Sequence, residues 1–420
     1  MPSVDELTLP KLPIEDSDLA ANPSPYIEAA RRQHAWLAKC SFGYVVHEHQ
    51  AIKDILYMDD KVINSTDEVV ELMGAKCTRW GRFMQDLMLG KSGADHARIR
   101  GSVAAAFTPR NANLHRQRMR ELISGLLDEW APKGGFDFAE FAAHFPIRVM
   151  CGLIGAAPEA IPAVRKSLEA QGMSYCLDPS MLPALEAAYD QLWTFVDDLI
   201  DEHRRSGADN PDHLLGVMIA ANDAGQISDV EMREMLIVFF AAGYDTSKNM
   251  LTLIMYRMLQ HPQEWIRCAD DRPYCNKVVE EVMRLHSPSN TYRTVTEEFV
   301  YRDVRFPKDT LLFFTLSQAG RDPSAFADAD EFRPEREHRN RHMAFGRGAH
   351  ICIGQYLARA QIEEALHLVA QRITRPRLAG EVTWRTFLGS WGILTLPITF
   401  EPGARLDGGR DMAALIGSAQ

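Results

Sequence analysis

The sequence predicts a mainly helical chain with small β-sheets, and three observations predict it. A run of about thirty residues, from Asp229 to the break at His261-Pro262, contains no proline and would span roughly 48 Å as a helix. A second run, 355–373, places apolar Ala358, Ile362, Leu366, Val369 and Ile373 at steps of four, four, three and four, the spacing of one helix face. The stretch 118–200 is helical in pattern apart from breaks at 132–135, 157–158 and 177–183. Strand-like residues are confined to 43–47, 295–316 and 395–400.

Composition narrows the function. The chain has 420 residues and a net charge of −11, which argues against a nucleic-acid binder. Its seven cysteines are odd in number and irregularly spaced, as in a protein of a reducing cytoplasm rather than a disulfide scaffold. Residues 1–20 are polar, acidic and broken by Pro10 and Pro13, unlike a secretory signal or a membrane anchor. No window holds about eighteen uninterrupted apolar residues, so no transmembrane helix is expected. The organisation read from these patterns is a partly ordered arm over 1–22, a single domain over 23–402 and a tail over 403–420.

Taken in order, 25–37 reads as a first helix, 43–47 as a strand and 51–58 as a helix. The region 63–93 has no clean period, and long irregular stretches in compact proteins are often functional. Residues 96–107 are helical, closed by Thr108-Pro109, with His96 and Arg100 four apart on one face. Two amphipathic runs within 161–199 are joined by a turn at 177–180. Ser228-Asp-Val-Glu231 is a capping box ahead of the long run. In the middle of that run Gly243, Asp245 and Thr246 break the rules for a buried helix. Glycine costs about 0.5–1 kcal/mol there, a buried acid needs a partner, and threonine bonds backward to a carbonyl. The cluster is either a helix kink or a functional site. Pro273 opens another helix whose apolar stripe, Val278, Val282 and Leu285, contains Glu281 with Arg284 three residues on. Such a pair is either a surface ion pair or a buried anchor.

Cys352 sits among Gly346, Gly348 and Gly354, just before the 355–373 helix. Free amide groups and the dipole at a helix start favour a thiolate. No second Cys or His stands at a zinc-like spacing. A lone thiolate with one open side suits a metal carried by its own macrocycle, namely haem, while a buried structural thiol is the plainer alternative.

The residues Phe345, Gly348, His350, Cys352 and Gly354 match, position by position, the cysteine-ligand loop of the cytochrome P-450 family, and the chain resembles that family's soluble bacterial members. The resemblance extends in chain order from His96 to about Phe400. It includes His96 and Arg100 as His-x-x-x-Arg, residues 242–247 as Ala-Gly-x-Asp-Thr-Thr with Ser247 in the last place, Glu281 and Arg284 as Glu-x-x-Arg, and 332–336 as Phe-x-Pro-x-Arg. It implies a triangular helical prism with the long helix crossing the haem. It also implies haem b with Cys352 as axial ligand, and Phe345, Gly346, His350 and Gly354 around the cofactor. His96, Arg100, Arg293 and His342 become contacts to the haem propionates. Asp245 and Thr246 become the pair that delivers protons for O–O cleavage, with Asp245 swinging between solvent and interior. A Glu281–Arg284–Arg336 network holds the cysteine loop. The implied reaction inserts one atom of O₂ into a C–H bond of a small hydrophobic substrate, a terpenoid or an aromatic compound. Trp80, Met84, Val238, Ala241, Ala242, Ser289, Asn290 and Ile393 are the expected pocket. The chain ends soon after the last hairpin, so electrons are expected from a separate iron–sulfur ferredoxin and its NAD(P)H reductase. Arg98, Arg110, Arg347 and Arg359 are either its docking patch or scattered surface charges. A cytoplasmic monomer completes the expectation. The rivals are a peroxide-using or isomerising haem-thiolate enzyme and a haem-based gas sensor or carrier.

Overall fold

In the computed structural model, which describes residues 1–206, 213–337 and 340–404, the N-terminal arm is packed rather than loose. Leu12, Ile14 and Leu19 are fully buried, and the Trp391 indole donates to Ala20 O at 2.8 Å. These apolar side chains bury enough surface to offset the ordering of the arm, which corrects the expectation of partial order. The arm leads through α1 (Ser17–Ala21) into α2 (Pro23–Gln33), where Pro23 occupies a first-turn position that needs no N–H.

Next come β1 (Leu37–Lys39), β2 (Tyr44–Val46), α3 (His49–Leu56) and β3 (Val62–Asn64). The aperiodic stretch 63–93 holds two short helices, α4 (Thr66–Leu72) and α5 (Arg79–Asp86). Two turns apiece are too few to write a period into the sequence. After α6 (Gly93–Val103) a short 3-10 turn runs to Phe107, and Thr108-Pro109 both closes that run and opens the next: Thr108 caps α7 (Pro109–Leu114) through Asn111 N at 3.3 Å. Then follow α8 (Arg116–Trp130), β4 (Gly135–Asp137), α9 (Phe138–Ile154), α10 (Ile161–Gln171), α11 (Leu182–Ser206) and α12 (Leu214–Asp223).

Helix α13 (Asp229–Met258) runs for 30 residues. Its start is the capping box read from the sequence: Ser228 Oγ accepts from Glu231 N at 3.2 Å, and Glu231 Oε2 accepts from Ser228 N at 2.7 Å. Gly243 leaves the space into which Met150 of α9 packs, so the glycine serves close helix packing. Beyond it lie α14 (Pro262–Asp270), α15 (Arg272–Leu285), β5 (Thr291–Val295), β6 (Phe299–Tyr301), β7 (Val304–Phe306), β8 (Leu311–Phe314) and α16 (Leu316–Ala319). The chain closes with α17 (Gln355–Arg372), β9 (Ile373–Leu378), β10 (Thr383–Trp384), β11 (Ile393–Thr395) and β12 (Pro397–Pro402). Of the tail 403–420, residues 405–420 lie outside the described residues.

The largest sheet has the order β1-β2-β8-β5-β3, with β2 and β8 parallel, and covers a small apolar cluster around Trp36, Ile52, Phe306 and Leu312. The main core is helical, with α13 packed between α9, α11 and α17. Among the described residues no helix is long and apolar enough to cross a membrane.

An ion cluster fixes α17 to its neighbours. The Glu364 side chain is fully buried and takes Arg116 of α8 at 2.9 Å, Arg120 of α8 at 2.7 Å and Arg272 of α15. Glu363 beside it takes Arg116 at 2.7 Å and Asn276 at 2.5 Å. Desolvation opposes the Glu364 charge, yet the three guanidinium groups hold its pKa below the usual 4.5. A carboxyl with a lowered folded pKa stabilises the fold above its unfolded value and loses that contribution as pH falls. Glu364→Gln is expected to cost about 3 kcal/mol at neutral pH in urea denaturation. The difference from the parent should shrink as pH is lowered below 4.5.

Candidate active site

The loop that carries Cys352 closes on itself before α17. The Gly346 amide donates to Met343 O at 2.9 Å, Ile351 to Gly348 O at 3.2 Å and Cys352 to Phe345 O at 2.9 Å. Gly346 and Gly348 have φ of +66° and +76°, and a Cβ on Gly348 would strike Leu56 O. Only glycine meets both demands there. Gly354 caps α17, and a Cβ on it would come within 4.0 Å of Cys352 Sγ. Cys352 is accessible because it faces a cavity. Burial raises its thiol pKa, while the Gly354 amide and the charges of Arg100 and Arg359 pull it down.

Three cavities of about 180, 300 and 280 Å³ adjoin, sharing Ala242 and Leu89. Cys352 and His350 line the first two. His96 and Arg100 face the first, Arg293 and Phe345 the second. The His96 and His350 rings lie 4.2 Å apart, and His96 Nε2 is buried without a partner. Arg100 donates to Ile351 O at 2.7 Å. Arg293 donates to Thr291 Oγ1 at 2.6 Å, to Tyr292 O at 2.8 Å and to Asn64 Oδ1. None of these acceptors is a carboxylate. Burial lowers the pKa of His96 and Arg100, takes Arg293 to about 10 and, with repulsion from its basic neighbours, takes His350 to about 3.

His342 departs from this cluster. Its Nε2 lies 3.1 Å from Glu280 Oε2, and it lines an outer recess with Arg341, Arg347 and Arg359. Glu280 also takes Arg359 at 2.6 Å. A carboxylate on α15 therefore captures His342 on the far side of the loop, which corrects its expected place at the propionates. Phe345 is the wall between recess and cavity, with the Arg359 guanidinium 4.4 Å from its ring centre. Of the expected docking arginines, Arg347 and Arg359 line the recess, Arg110 is exposed in α7, and Arg98 is held by Glu231 at 2.6 Å beside the start of α13.

Deep in α15, Arg284 forks onto Glu281 with two bonds of 2.8 Å and reaches Gly320 O at 2.5 Å, Ala329 O at 2.6 Å and Glu331 O at 2.9 Å. Arg336 joins Glu281 at 3.4 Å. The three residues come together, and every donor of the buried Arg284 fork finds an acceptor.

On α13, Ala242 and Thr246 face the cavities. Thr246 Oγ1 donates back to Ala242 O at 2.8 Å. Asp245 is buried, with Oδ1 2.6 Å from Arg385 Nη1 and Oδ2 accepting from Asn249 at 3.3 Å. Arg385 also donates to Gly172 O at 3.1 Å, and a Cβ on Gly172 would lie 2.5 Å from the Asp245 carboxyl carbon. Asp245 is thus held in place rather than free to swing outward. Ser247, the odd residue of its motif, accepts from Gln361 of α17 at 2.6 Å.

The third cavity, above Ala242, is lined by Met84, Val238, Ala241, Ser289 and Asn290, all expected. Trp80 and Ile393 are not among its walls. Both are fully buried, Trp80 with its indole donating to Gln171 at 3.3 Å and Ile393 within the core beside β12. Trp80 lies on the inward face of α5, while Phe83, Met84 and Leu87 turn to the cavity. Gly389 and Ser390 replace Ile393 as the turn that reaches it. Gln171 at the end of α10, and Ser174 and Tyr175 just after it, were not anticipated, since a helix end and a loop carry no period to read.

The family model described as Cytochrome P450 matches residues 171–269 and 265–397. The chain belongs to the cytochrome P450 family. It is 32% identical over 397 residues to luteothin monooxygenase of Streptomyces thioluteus, covering 93% of this chain and 96% of that one. It is 30% identical over 321 residues to 6-deoxyerythronolide B hydroxylase of Saccharopolyspora erythraea, covering 74% of this chain and 76% of the other. In fold it is similar to a solved myxobacterial cytochrome P450 in complex with myristic acid, with a TM-score of 0.84, 24% identity and 92% and 98% of the two chains covered.

The residues fit the haem of this family. A P450 haem needs one sulfur ligand below and cations at its carboxylate edge. Cys352 offers the first. Buried Arg293, half-buried Arg100 and the buried, unpartnered His96 offer the second, as basic groups that hold no anion of their own. Such groups store an electrostatic cost that an anionic edge relieves. Arg293→Leu is therefore expected to leave the haem-free protein at least as stable as its parent in urea denaturation. Transfer of haem to apomyoglobin should be about ten-fold faster in the variant.

Proposed function

We propose that this P450 is a monooxygenase that binds haem b through Cys352 and inserts one atom of O₂ into a C–H bond of a small hydrophobic substrate. The observation that carries the proposal is the continuity of the cavity faced by Cys352 with the one that holds Thr246 and Asp245. Haem, when bound, supplies oxygen activation and transfer, with the thiolate ligand favouring O–O cleavage. The side chains manage protons and shape. Thr246 Oγ1 spends its donor on Ala242 O, which leaves its lone pairs to accept from a water in the cavity. Asp245 Oδ1 is tied to Arg385, whereas Oδ2 has only the long bond from Asn249, so Oδ2 is the atom left to take up and release a proton.

The substrate is held mostly by shape. Phe83, Met84, Leu87, Val238 and Ala241 give an apolar wall, and Ala242 leaves room above the cysteine. Among the polar neighbours Asn290 is engaged with Phe387 O at 2.9 Å and Ser317 at 2.8 Å, and Ser390 with Asn249 at 3.0 Å, while the Tyr175 hydroxyl is buried without a partner. Relatives are named for luteothin and for 6-deoxyerythronolide B. A hydrophobic terpenoid or aromatic compound is the class proposed for this chain. Electrons come from a separate iron–sulfur ferredoxin with its NAD(P)H reductase, docking at the recess of Arg341, Arg347 and Arg359 behind Phe345. A cytoplasmic monomer completes the reading.

The test begins with any compound that shifts the haem absorption from low to high spin. With that compound, Thr246→Ala should keep consuming NAD(P)H while product falls at least about ten-fold and hydrogen peroxide rises in its place. Unchanged coupling in the variant would overturn the proton-delivery role of Thr246, and product formed with hydrogen peroxide but not with NAD(P)H and the ferredoxin would overturn the O₂-dependent reading.

A further inference from the structure

Glu234 is an acid of the cavity walls that none of the above uses. It lies on α13, and Val238 and Ala242 follow it at i+4 and i+8 on the same cavity-facing side. Its side chain is 5% exposed, and its Oε2 is buried with no hydrogen-bond partner. Around it the wall is apolar: Leu87, Met88, Ile99, Met235 and Phe239. Buried acids are ordinarily paired, so an unpaired one aimed into an apolar cavity calls for an explanation.

The charges at this end leave no cation for it. Lys91 is 2.9 Å from Asp86, and Arg98 is 2.6 Å from Glu231. The groups that act on the Glu234 carboxyl are Asp86 and Glu231, which disfavour its charge, and Lys91, which favours it. Tyr189 of α11 also feels the acid. Burial, helped by the two acids, takes the carboxyl pKa to about 8, so it is largely protonated at neutral pH. Arg100 and His96 line the opposite, Cys352 end of the same cavity. The cavity is therefore acidic where α13 begins and basic where the cysteine loop begins.

We infer that Glu234 is the anchor for a basic amine on an otherwise apolar ligand, and that this P450 takes amphiphilic amines in preference to neutral compounds of the same shape. The inference deepens the monooxygenase reading and rests on it for the ligand's orientation. The eight residues from Glu234 to Ala242 place the amine roughly 12 Å along the helix from the reacting end. An ammonium beside Glu234 favours the carboxylate, so binding forms a buried ion pair and releases the carboxyl proton to solvent. Among the described residues the other acids at this end, Asp86 and Glu231, are already paired.

The test compares dodecyldimethylamine, protonated at neutral pH, with dodecanol on the haem-loaded protein by isothermal titration calorimetry. The amine should bind at least about ten-fold tighter. Its enthalpy measured in buffers of different ionisation heat should show release of most of one proton, and dodecanol should show none. Glu234→Gln, which keeps the size and the hydrogen-bonding capacity, should remove the preference and the proton release while leaving dodecanol affinity unchanged. If that variant is poorly folded, Glu234→Asp serves, with an intermediate preference expected. Equal affinities in the parent would overturn the inference, as would a preference that survives Glu234→Gln or an equal loss for both ligands. These readouts use binding alone, so failure of the monooxygenase reading, seen in turnover, stays separate.

Discussion

The sulfur ligand proposed for this chain, Cys352, must be held in the protein with one face open, and the surrounding fold meets that requirement. Backbone bonds within the loop fix Cys352, and two left-handed glycines give the chain the turn it needs. Acids on two helices then hold the platform. On α15, Glu281 points inward to Arg284 and Arg336, which bind the carbonyls of the 320–331 segment. Its neighbour Glu280 points to the loop and takes His342 and Arg359. On α17, Glu364 gathers arginines from α8 and α15. Buried ion pairs return little net stability, because desolvation cancels much of the attraction. They do fix geometry: Glu280 ties the cysteine loop and α17 to α15, Glu364 ties α17 to α8 and α15, and Glu281 ties α15 to the 320–336 segment through Arg284 and Arg336.

Three of the buried groups left without a partner, His96, Tyr175 and Glu234, lie on the cavity walls. His96 Nε2 and Glu234 Oε2 are buried without partners, and Arg293 is buried beside neutral acceptors only. The stability that these residues forgo is recovered when a ligand supplies the missing charge. The two ends of the cavity ask for opposite things, an anionic edge near Arg293 and Arg100 and a cation near Glu234.

Much of this was legible in the sequence where chemistry is local. The 30 residues of α13 announce themselves by a capping box and the absence of proline, and α17 by its regular apolar steps. The Glu281–Arg284 pair sits within one helical turn. What could not be read depends on which groups meet across the fold. Arg385 reaches Asp245 from 140 residues away, so a residue expected to swing is held. Glu280 intercepts His342. Trp80 and Met84 are four apart in α5, yet the indole turns to Gln171 in the core while Met84 faces the cavity. A helix of 8 residues is too short for its sequence to say which face is which.

The account stands on sulfur ligation by Cys352. Its most direct test is the absorption spectrum of the reduced, haem-loaded protein under carbon monoxide, recorded for the parent and for Cys352→His. The account predicts a strongly red-shifted Soret band in the parent and a shorter-wavelength band, as in histidine-ligated haem proteins, in the variant. The same histidine-type band in the parent, or a purified protein that takes up no haem, would contradict it.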